Sequence, residues 1–294
     1  MKELNTLNHG RTLPNSRKEL ISWMKAKLRK HGIRLRRRLS QIVLIDPKIL
    51  SFIAKKSSEL TPCRDTATIL EIGAGIGNLT QFLGSENGNA LIIAVEIDHR
   101  FAPILQEIKR VYSNVEIVIG DALTLLESIR GIDLVTGNIP YHITSHLLLA
   151  IARSDIPFAL LTIQKDVAER IVSKPGTKNY GKLSILMQLL FDVEILKVVP
   201  PVLFVPHPQV SSSIIVLKRK RLYDRYVETI EELTKCLFSY KRKLVIKAFE
   251  YCLGKKLNEK IKVEGSIWRK RVAHLTIEDI MELANIYVKL RTEN

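Results

Sequence analysis

The stretch of this chain best suited to chemistry is Asn138-Ile139-Pro140-Tyr141, which follows the apolar run Ile132–Val135. A turn accounts for the proline and the asparagine, but not for an aromatic residue beside them. The exocyclic amino group of adenine accounts for all four. Its lone pair is delocalised into the ring, so it attacks a methyl group only when drawn toward tetrahedral geometry. Two acceptors that take its two N–H bonds can do this: the Asn138 side-chain oxygen and the Ile139 backbone carbonyl. Pro140 fixes the local backbone, and Tyr141 offers a face for a base turned out of its stack. Such a site works by positioning and needs no strong general base. Taken alone, the tetrapeptide also fits a capped turn with a packed tyrosine. His142 and His146 follow at helical spacing with no third ligand nearby, so they are expected to line the substrate's approach, and no metal is expected.

A second constellation lies upstream, in Glu71-Ile-Gly73-Ala-Gly75-Ile-Gly77-Asn78-Leu-Thr80. Glycines between a strand and a helix let a ligand approach the backbone closely. A dinucleotide fingerprint would place its third glycine at position 78, where this chain has asparagine, so Gly73, Gly75 and Gly77 suit a different ligand. Glu96 closes the next strand, where a carboxylate can take both ribose hydroxyls. Asp121, in Ile119-Gly120-Asp121-Ala122, is placed to accept from an adenine amino group. Either carboxylate alone could simply face water; with the glycine loop they outline an adenosine-shaped pocket. The phosphate-loop lysine is absent, which argues against phosphate transfer. The pattern resembles the class I S-adenosylmethionine-dependent methyltransferases, whose cofactor is a nucleoside without phosphates.

These residues need a scaffold that brings several strand ends together. Short Val/Ile/Leu-rich runs without strict alternation predict strands at Thr68–Ile72, Ala90–Ile97, Val115–Ile119, Ile132–Val135 and Phe158–Ile163, buried on both faces. Helical stretches such as His99–Lys109 and His142–Ala152 separate them. The result is an α/β fold with a Rossmann-like, mostly parallel sheet. Val193–Val199 and Ser212–Leu217, joined by the proline-rich 200–208, are expected to finish the sheet as an antiparallel pair. After Lys218-Arg-Lys-Arg221, read as a strand end and linker facing solvent or RNA, Tyr223–Ser239, Arg242–Leu253 and Ile277–Leu290 read as helices. The expected domains are therefore a basic extension (1–38), a catalytic domain (39–220) and a small all-α domain (221–294).

Charge adds a partner class. The net charge is +16, and residues 1–45 hold 12 Lys/Arg against 2 Asp/Glu, while residues 218–294 hold 19 against 11. A nearly neutral centre between two basic ends suits a reaction chamber flanked by surfaces that grip a polyanion. The Arg-rich start would also suit a transit peptide. Against that, Ser16-Arg-Lys-Glu19 reads as a capping box opening an amphipathic helix that ends near Gly32, followed by the basic arm Arg34–Arg38. No apolar run approaches the roughly 18 residues of a membrane span. Cys63, Cys236 and Cys252 form no Cys-x-x-Cys pair, so no disulfide or zinc framework is expected, and a reducing, cytoplasmic setting and a monomer are.

Over roughly residues 39–290 the chain resembles the ribosomal RNA adenine N6,N6-dimethyltransferases, with the texture of archaeal or eukaryotic-type members. The resemblance is carried by Leu44-Ile-Asp46, the glycine loop, Gly120-Asp121, Asn138–Tyr141, Gln164-Lys-Asp-Val-Ala-Glu-Arg170 and Lys174-Pro-Gly-Thr-Lys-Asn-Tyr-Gly-Lys-Leu-Ser184. Phe204-Val-Pro-His-Pro-Gln-Val-Ser-Ser212 and Leu237-Phe-Ser-Tyr-Lys-Arg-Lys243 complete it. It implies S-adenosylmethionine as cofactor and, as substrate, two adjacent adenosines in the 3′-terminal hairpin of small-subunit ribosomal RNA within a pre-30S-like particle. Implied cofactor contacts fall on Leu44, Gly73, Glu96, Asp121 and Asn138. Phe204 is implied as a second aromatic closing on the base, although by itself it reads as a core anchor. The Lys-Pro-Gly and Lys-Arg-Lys segments are implied RNA contacts. The chain departs from the family at Ile42-Val43, where Asn-Phe is usual, and at His146, where proline is common. Two alternatives stand beside this: a large-subunit RNA adenine methyltransferase, disfavoured by the 174–184 segment and the helical tail, and a non-catalytic ribosome-assembly or transcription factor.

Overall fold

The computed structural model describes residues 13–36, 41–62, 67–254, 256–257 and 265–292. Cys63 and the last residues of the basic arm, Arg37 and Arg38, lie outside them. The chain divides into two compact units, Met1–Lys165 with Glu194–Arg219, and Asp166–Val193 with Lys220–Asn294.

In the first unit, α1 (Arg17–Lys30) starts where Ser16 Oγ accepts the Glu19 N–H at 3.2 Å. The Glu19 carboxylate reaches back to the Asn15 N–H at 2.9 Å, one residue earlier than in the expected capping box. Next come β1 (Val43–Leu44) and α2 (Pro47–Leu60), the latter capped by Asp46. Strands and helices then alternate: β2 (Ala67–Ile72), α3 (Asn78–Glu86), β3 (Ala90–Glu96), α4 (Ala102–Val111), β4 (Val115–Ile119), α5 (Ala122–Ser128), β5 (Leu134–Asn138), α6 (Thr144–Arg153) and β6 (Phe158–Gln164). After α7 (Lys165–Ile171) and α8 (Lys182–Leu190), β7 (Phe191–Val199), β8 (Phe204–Val205) and β9 (Ser212–Arg219) complete the strands. α1 buries Leu20 and Met24, and its last turn docks on α4: Lys27, Lys30 (2.6 Å) and His31 (3.2 Å) converge on Glu107. Those partners, Lys27 foremost, pull the Glu107 carboxyl down to about 2.

The seven-stranded sheet has the order β4-β3-β2-β5-β6-β9-β7. The first five strands in this order run parallel, and β9 pairs antiparallel with β6 from Phe158↔Lys218 to Gln164↔Ser212. β2 therefore has later strands on both sides, and the strand order reverses there. That switch point is where an open α/β sheet leaves a crevice beyond its carboxyl ends. β1 and β8 form a separate two-stranded ladder, Val43↔Val205 and Leu44↔Phe204, which the sequence reading did not anticipate.

Two further features correct that reading. β5 starts later than the apolar run and extends through Asn138, in register with Thr162. Gly137 permits this: its φ is +155°, and a Cβ there would stand 2.4 Å from the Ile72 carbonyl oxygen. Arg219, expected to face solvent or RNA, instead donates to the carbonyls of Ile151 (2.6 Å), Ala152 (3.3 Å) and Ile156 (2.7 Å), capping α6. Burial pushes its guanidinium down to about 10.

The second unit contains α9 (Arg225–Leu237), α10 (Val245–Leu253) and α11 (Ile277–Thr292). α8 packs on α9 and α11, so residues 166–193 group with the helices expected only after residue 221. Lys241 is a latch within this unit. Its ammonium donates to the carbonyls of Lys178 (3.0 Å) and Tyr180 (2.5 Å), holding the 174–184 segment instead of projecting toward RNA. Cys236 and Cys252 form a disulfide between α9 and α10, contrary to the expectation of no disulfide. Spacing alone could not reveal it, because the fold, not a local motif, brings the two helices together. No helix of the described residues is long and apolar enough to cross a membrane.

A crosslink over a separation of 16 residues removes loop-closure freedom from the unfolded chain, by about 3 kcal/mol in the chain-entropy picture. Reduction, or Cys236→Ser, is expected to lower the melting temperature by several degrees in calorimetry. The double Cys236→Ser/Cys252→Ser variant should then be insensitive to reductant.

Candidate active site

The carboxyl ends of β2, β3, β4 and β5 surround a cavity of about 200 Å³ in the first unit. Each contributes what its sequence allows. After β2 the loop residues Gly73 and Gly75 line it with bare backbone. Glu96 ends β3, buried, with one oxygen accepting the Gly75 N–H at 2.7 Å and the other the Asp98 N–H at 2.8 Å. Burial raises its carboxyl above the usual range. Beyond β4, Asp121 caps α5 through the Leu123 N–H (2.9 Å) and lines the cavity. At the end of β5 Asn138 lines it too, followed by Pro140, which packs over Gly73.

The amide of Asn138 has a defined orientation. Its Nδ2 donates to the Ile42 carbonyl at 2.9 Å, and only the nitrogen end of an amide can face a carbonyl, so Oδ1 is left as the acceptor. The next residue gives its N–H to the Thr162 carbonyl (3.0 Å), and among the described residues nothing donates to the Ile139 carbonyl. The strand end therefore carries acceptors on two consecutive residues, of which Asn138 lines the cavity, whereas Ile139 is 1% exposed and neither it nor Tyr141 is part of the lining. The wall facing Asn138 comes from the segment before β1, where Leu35, Gln41, Ile42, Val43 and Leu44 line the cavity. That segment is fixed by Gln41, which donates to Asp98 at 2.8 Å, and by Arg100, which binds Asp98 and donates to the Arg34 carbonyl at 3.1 Å. Arg100 holds the Asp98 carboxyl well below the usual range.

Not every expected residue joins them. Gly77 does not line the cavity; a Cβ there would meet Ile108 at 2.2 Å, so its bareness serves the packing of α4. Phe204 is 1% exposed, paired with Leu44 and packed in the core of the unit, so as placed it offers no face to a base. Tyr141 is half-buried, its hydroxyl 2.9 Å from that of Ser212. His142 lines the cavity, whereas His146 lines an adjoining groove that shares Leu123 with it.

Glu71, at the end of β2, adds a carboxyl that no sequence pattern by itself assigns to the site. It lines the cavity 1% exposed, and its Oε2 has no hydrogen-bond partner among the described residues. Burial, with Glu96 nearby, pushes its carboxyl up to about 8. An acidic residue two positions before the first loop glycine was the available signal. The Thr80 side chain beside Glu71 opposes the rise, and a buried carboxyl of this kind stays neutral until a cation lies beside it.

The strand order, the bare glycine loop after β2 and the carboxylates beyond the ends of β3 and β4 are those of a class I S-adenosylmethionine-dependent methyltransferase. The profile of the family described as ribosomal RNA adenine dimethylase matches residues 32–289, and the chain belongs to that family. It is 39% identical over 257 residues to the ribosomal RNA small subunit methyltransferase A of Thermotoga maritima, covering 87% of this chain and 86% of that protein. To the probable ribosomal RNA small subunit methyltransferase A of Methanopyrus kandleri it is 35% identical over 276 residues (90% and 96% covered). Among solved structures, a dimethyladenosine transferase from Plasmodium falciparum superposes with a TM-score of 0.69 at 25% identity, covering 85% of this chain and 98% of that one. The 23S rRNA methyltransferase ErmE gives 0.58 at 25% identity, with 82% and 98% covered.

Glu71 supplies a prediction. With its folded-state value near 8 against 4.5, the folded protein without cofactor holds a proton that the unfolded chain has lost, so stability falls as pH rises through that window. Glu71→Gln should flatten this slope in thermal melts, stabilising the protein at the upper end of the window and leaving the lower end unchanged. The same variant should bind S-adenosylmethionine about tenfold more weakly in titration calorimetry, through loss of a charge-assisted contact.

Proposed function

We propose that the protein transfers methyl groups from S-adenosylmethionine to the N6 amino groups of two adjacent adenosines in the 3′-terminal hairpin of small-subunit ribosomal RNA. It would act as a cytoplasmic monomer on a precursor of the small subunit. The observation that carries the chemistry is the anchored Asn138 amide, which leaves its oxygen as an acceptor on the cavity wall. Names of relatives, which speak of the small subunit, support the substrate.

The residues divide the work. Glu96 and Asp121 would hold the ribose and adenine of the cofactor, the glycine loop its backbone, and Glu71 its ammonium group. Bound there, S-adenosylmethionine supplies an electrophilic methyl group. Asn138 Oδ1 and the Ile139 carbonyl accept the two N–H bonds of the target amine and hold its lone pair out of conjugation. Pro140 keeps the two acceptors in one geometry, and Tyr141 supports the base, with Ser212 fixing its hydroxyl. With Phe204 in the core, that support rests on Tyr141. The methylated amine acidifies and gives up its proton readily. Each transfer also removes one donor, so the grip on the product weakens by steps.

The departure at Ile42 does not disturb this arrangement, because position 42 anchors Asn138 through its backbone carbonyl, which any side chain leaves in place. Ile42→Ala should keep turnover within about threefold of the parent, while Asn138→Ala should lower it about 100-fold or more with little change in cofactor affinity. Comparable turnover in Asn138→Ala would remove the clamp from the mechanism. For the substrate, tritiated S-adenosylmethionine is offered with small subunits lacking the modification and, separately, with large subunits. Label in N6-dimethyladenosine of small-subunit RNA is expected. Label only in large-subunit RNA would replace the reading by the ErmE-like one, and binding without label would leave an assembly factor.

A further inference from the structure

The helical unit carries an aromatic feature that the methyl-transfer site does not use. Tyr240, in the turn after α9, and Tyr251, near the end of α10, stack with ring centroids 4.8 Å apart at 24°. Lys243 lies over both rings, its ammonium 4.5 Å from the Tyr251 centroid and 5.6 Å from that of Tyr240, and donates to the Tyr251 hydroxyl at 3.2 Å. Such a stack would be ordinary packing if it were buried, but Tyr251 is 54% exposed. The inner face of α10 does the packing instead, with Phe249 edge-on to Trp268 (5.3 Å) and Tyr287 (6.1 Å).

The outer face of α10 repeats this mixture of apolar and cationic groups. Leu244 (46% exposed), the exposed Lys247 and Tyr251 follow at spacings of three and four, which place them on one side of the helix. The platform is held stiffly. The Lys243 N–H donates to the Tyr240 carbonyl (2.8 Å), the Val272 N–H to the Lys243 carbonyl (3.0 Å), and Arg271 to the Arg242 carbonyl (2.8 Å). The Cys236–Cys252 disulfide ties α9 to α10 one residue from Tyr251. An aromatic ring kept half in water, backed by a second ring and flanked by cations, loses little conformational freedom when a third flat ring joins the stack.

We propose that Tyr240, Tyr251 and Lys243 form a stacking platform for an unpaired nucleobase of RNA, separate from the pocket that takes the target adenine. The proposal rests on the reading that the protein acts on ribosomal RNA. Stacking supplies affinity without reading base edges, since every base has a π-face. Lys243 and the exposed Arg242 supply charge for the adjoining phosphates. The platform is therefore expected to require an unpaired nucleotide and to tolerate its sequence. It also gives the disulfide a second consequence, as the staple that sets the spacing of the two tyrosines.

The test uses the full chain and two fluorescent probes, a short oligoadenylate and a fully paired RNA duplex, titrated by anisotropy at several salt concentrations. Tyr251→Ala is expected to weaken oligoadenylate binding about tenfold with an unchanged salt slope, and to leave duplex binding as it was. Tyr251→Phe, which keeps the ring, should bind like the parent. Lys243→Met should instead reduce the salt slope by about one. Because Tyr251 is largely exposed, its alanine variant should melt with the parent; if it does not, ultraviolet crosslinking of oligoadenylate to Tyr251 or Tyr240 in the unmodified protein decides. Parent-like binding by Tyr251→Ala, equal losses on both probes, or crosslinks that avoid both tyrosines would overturn the platform. Methylation of small subunits is scored separately on the parent: a parent that binds through Tyr251 but transfers no methyl sinks the proposed function alone.

Discussion

The amide nitrogen of Asn138 is held by the Ile42 carbonyl, and this bond leaves the amide oxygen as the acceptor at the strand end. Much of the first unit can be read as what this one bond requires. Asn138 must end a strand that lies against β2, which demands a residue without a side chain at 137, where the backbone passes the Ile72 carbonyl. The segment carrying Ile42 must come across the carboxyl ends of the sheet and stay there. The β1–β8 ladder pins it on one side, and the Gln41–Asp98–Arg100–Arg34 chain of hydrogen bonds pins it on the other. The same Asp98 gives its N–H to Glu96, so the arm and the ribose-type carboxylate are braced by one residue.

The cavity is also an electrostatic compromise. Two carboxyl groups are buried beside one another, and burial raises both. Glu96 is compensated by two backbone N–H groups, whereas Glu71 has an oxygen without a partner. A protein selected for stability alone would have no reason to keep the second acid. Its presence makes sense when a cationic ligand completes the set, and the unligated fold bears the cost.

What could be read from the sequence followed from locality. The parallel strands 68–72, 90–97 and 115–119, the glycine loop, and the carboxylates at 96 and 121 announce themselves through short-range patterns, and they fall where expected to within a residue or so. Of the Asn138–Tyr141 motif, Asn138 and Pro140 line the cavity, as residues at the end of a parallel strand can. What escaped depends on long-range partners. The role of Ile42 is a backbone role and invisible in its side chain. Phe204 is the core anchor that it reads as by itself, but the two-residue ladder that holds it is too short to leave a pattern. The grouping of 166–193 with the C-terminal helices, and the pairing of Cys236 with Cys252, follow from how α8, α9, α10 and α11 pack. Arg219 and Lys241 look like RNA-facing cations by composition, yet each is turned onto backbone carbonyls, a use of charge that no count of basic residues can distinguish.

The docking of α1 carries that distinction further. Along this helix the cations fall into two sets. Arg17 is tied to Asp46, and Lys27 and Lys30 to Glu107, while Lys18, Lys25 and Arg29 have no ion pair among the described residues. At long range a polyanion responds to the summed field, in which all of them count and which governs how fast the two molecules meet. At contact only untethered side chains can reach a phosphate, and these govern how long the complex lasts. Among the described residues, α1 therefore brings six cations to the attraction and three untethered ones to the grip, a bias toward drawing a polyanion in over holding it.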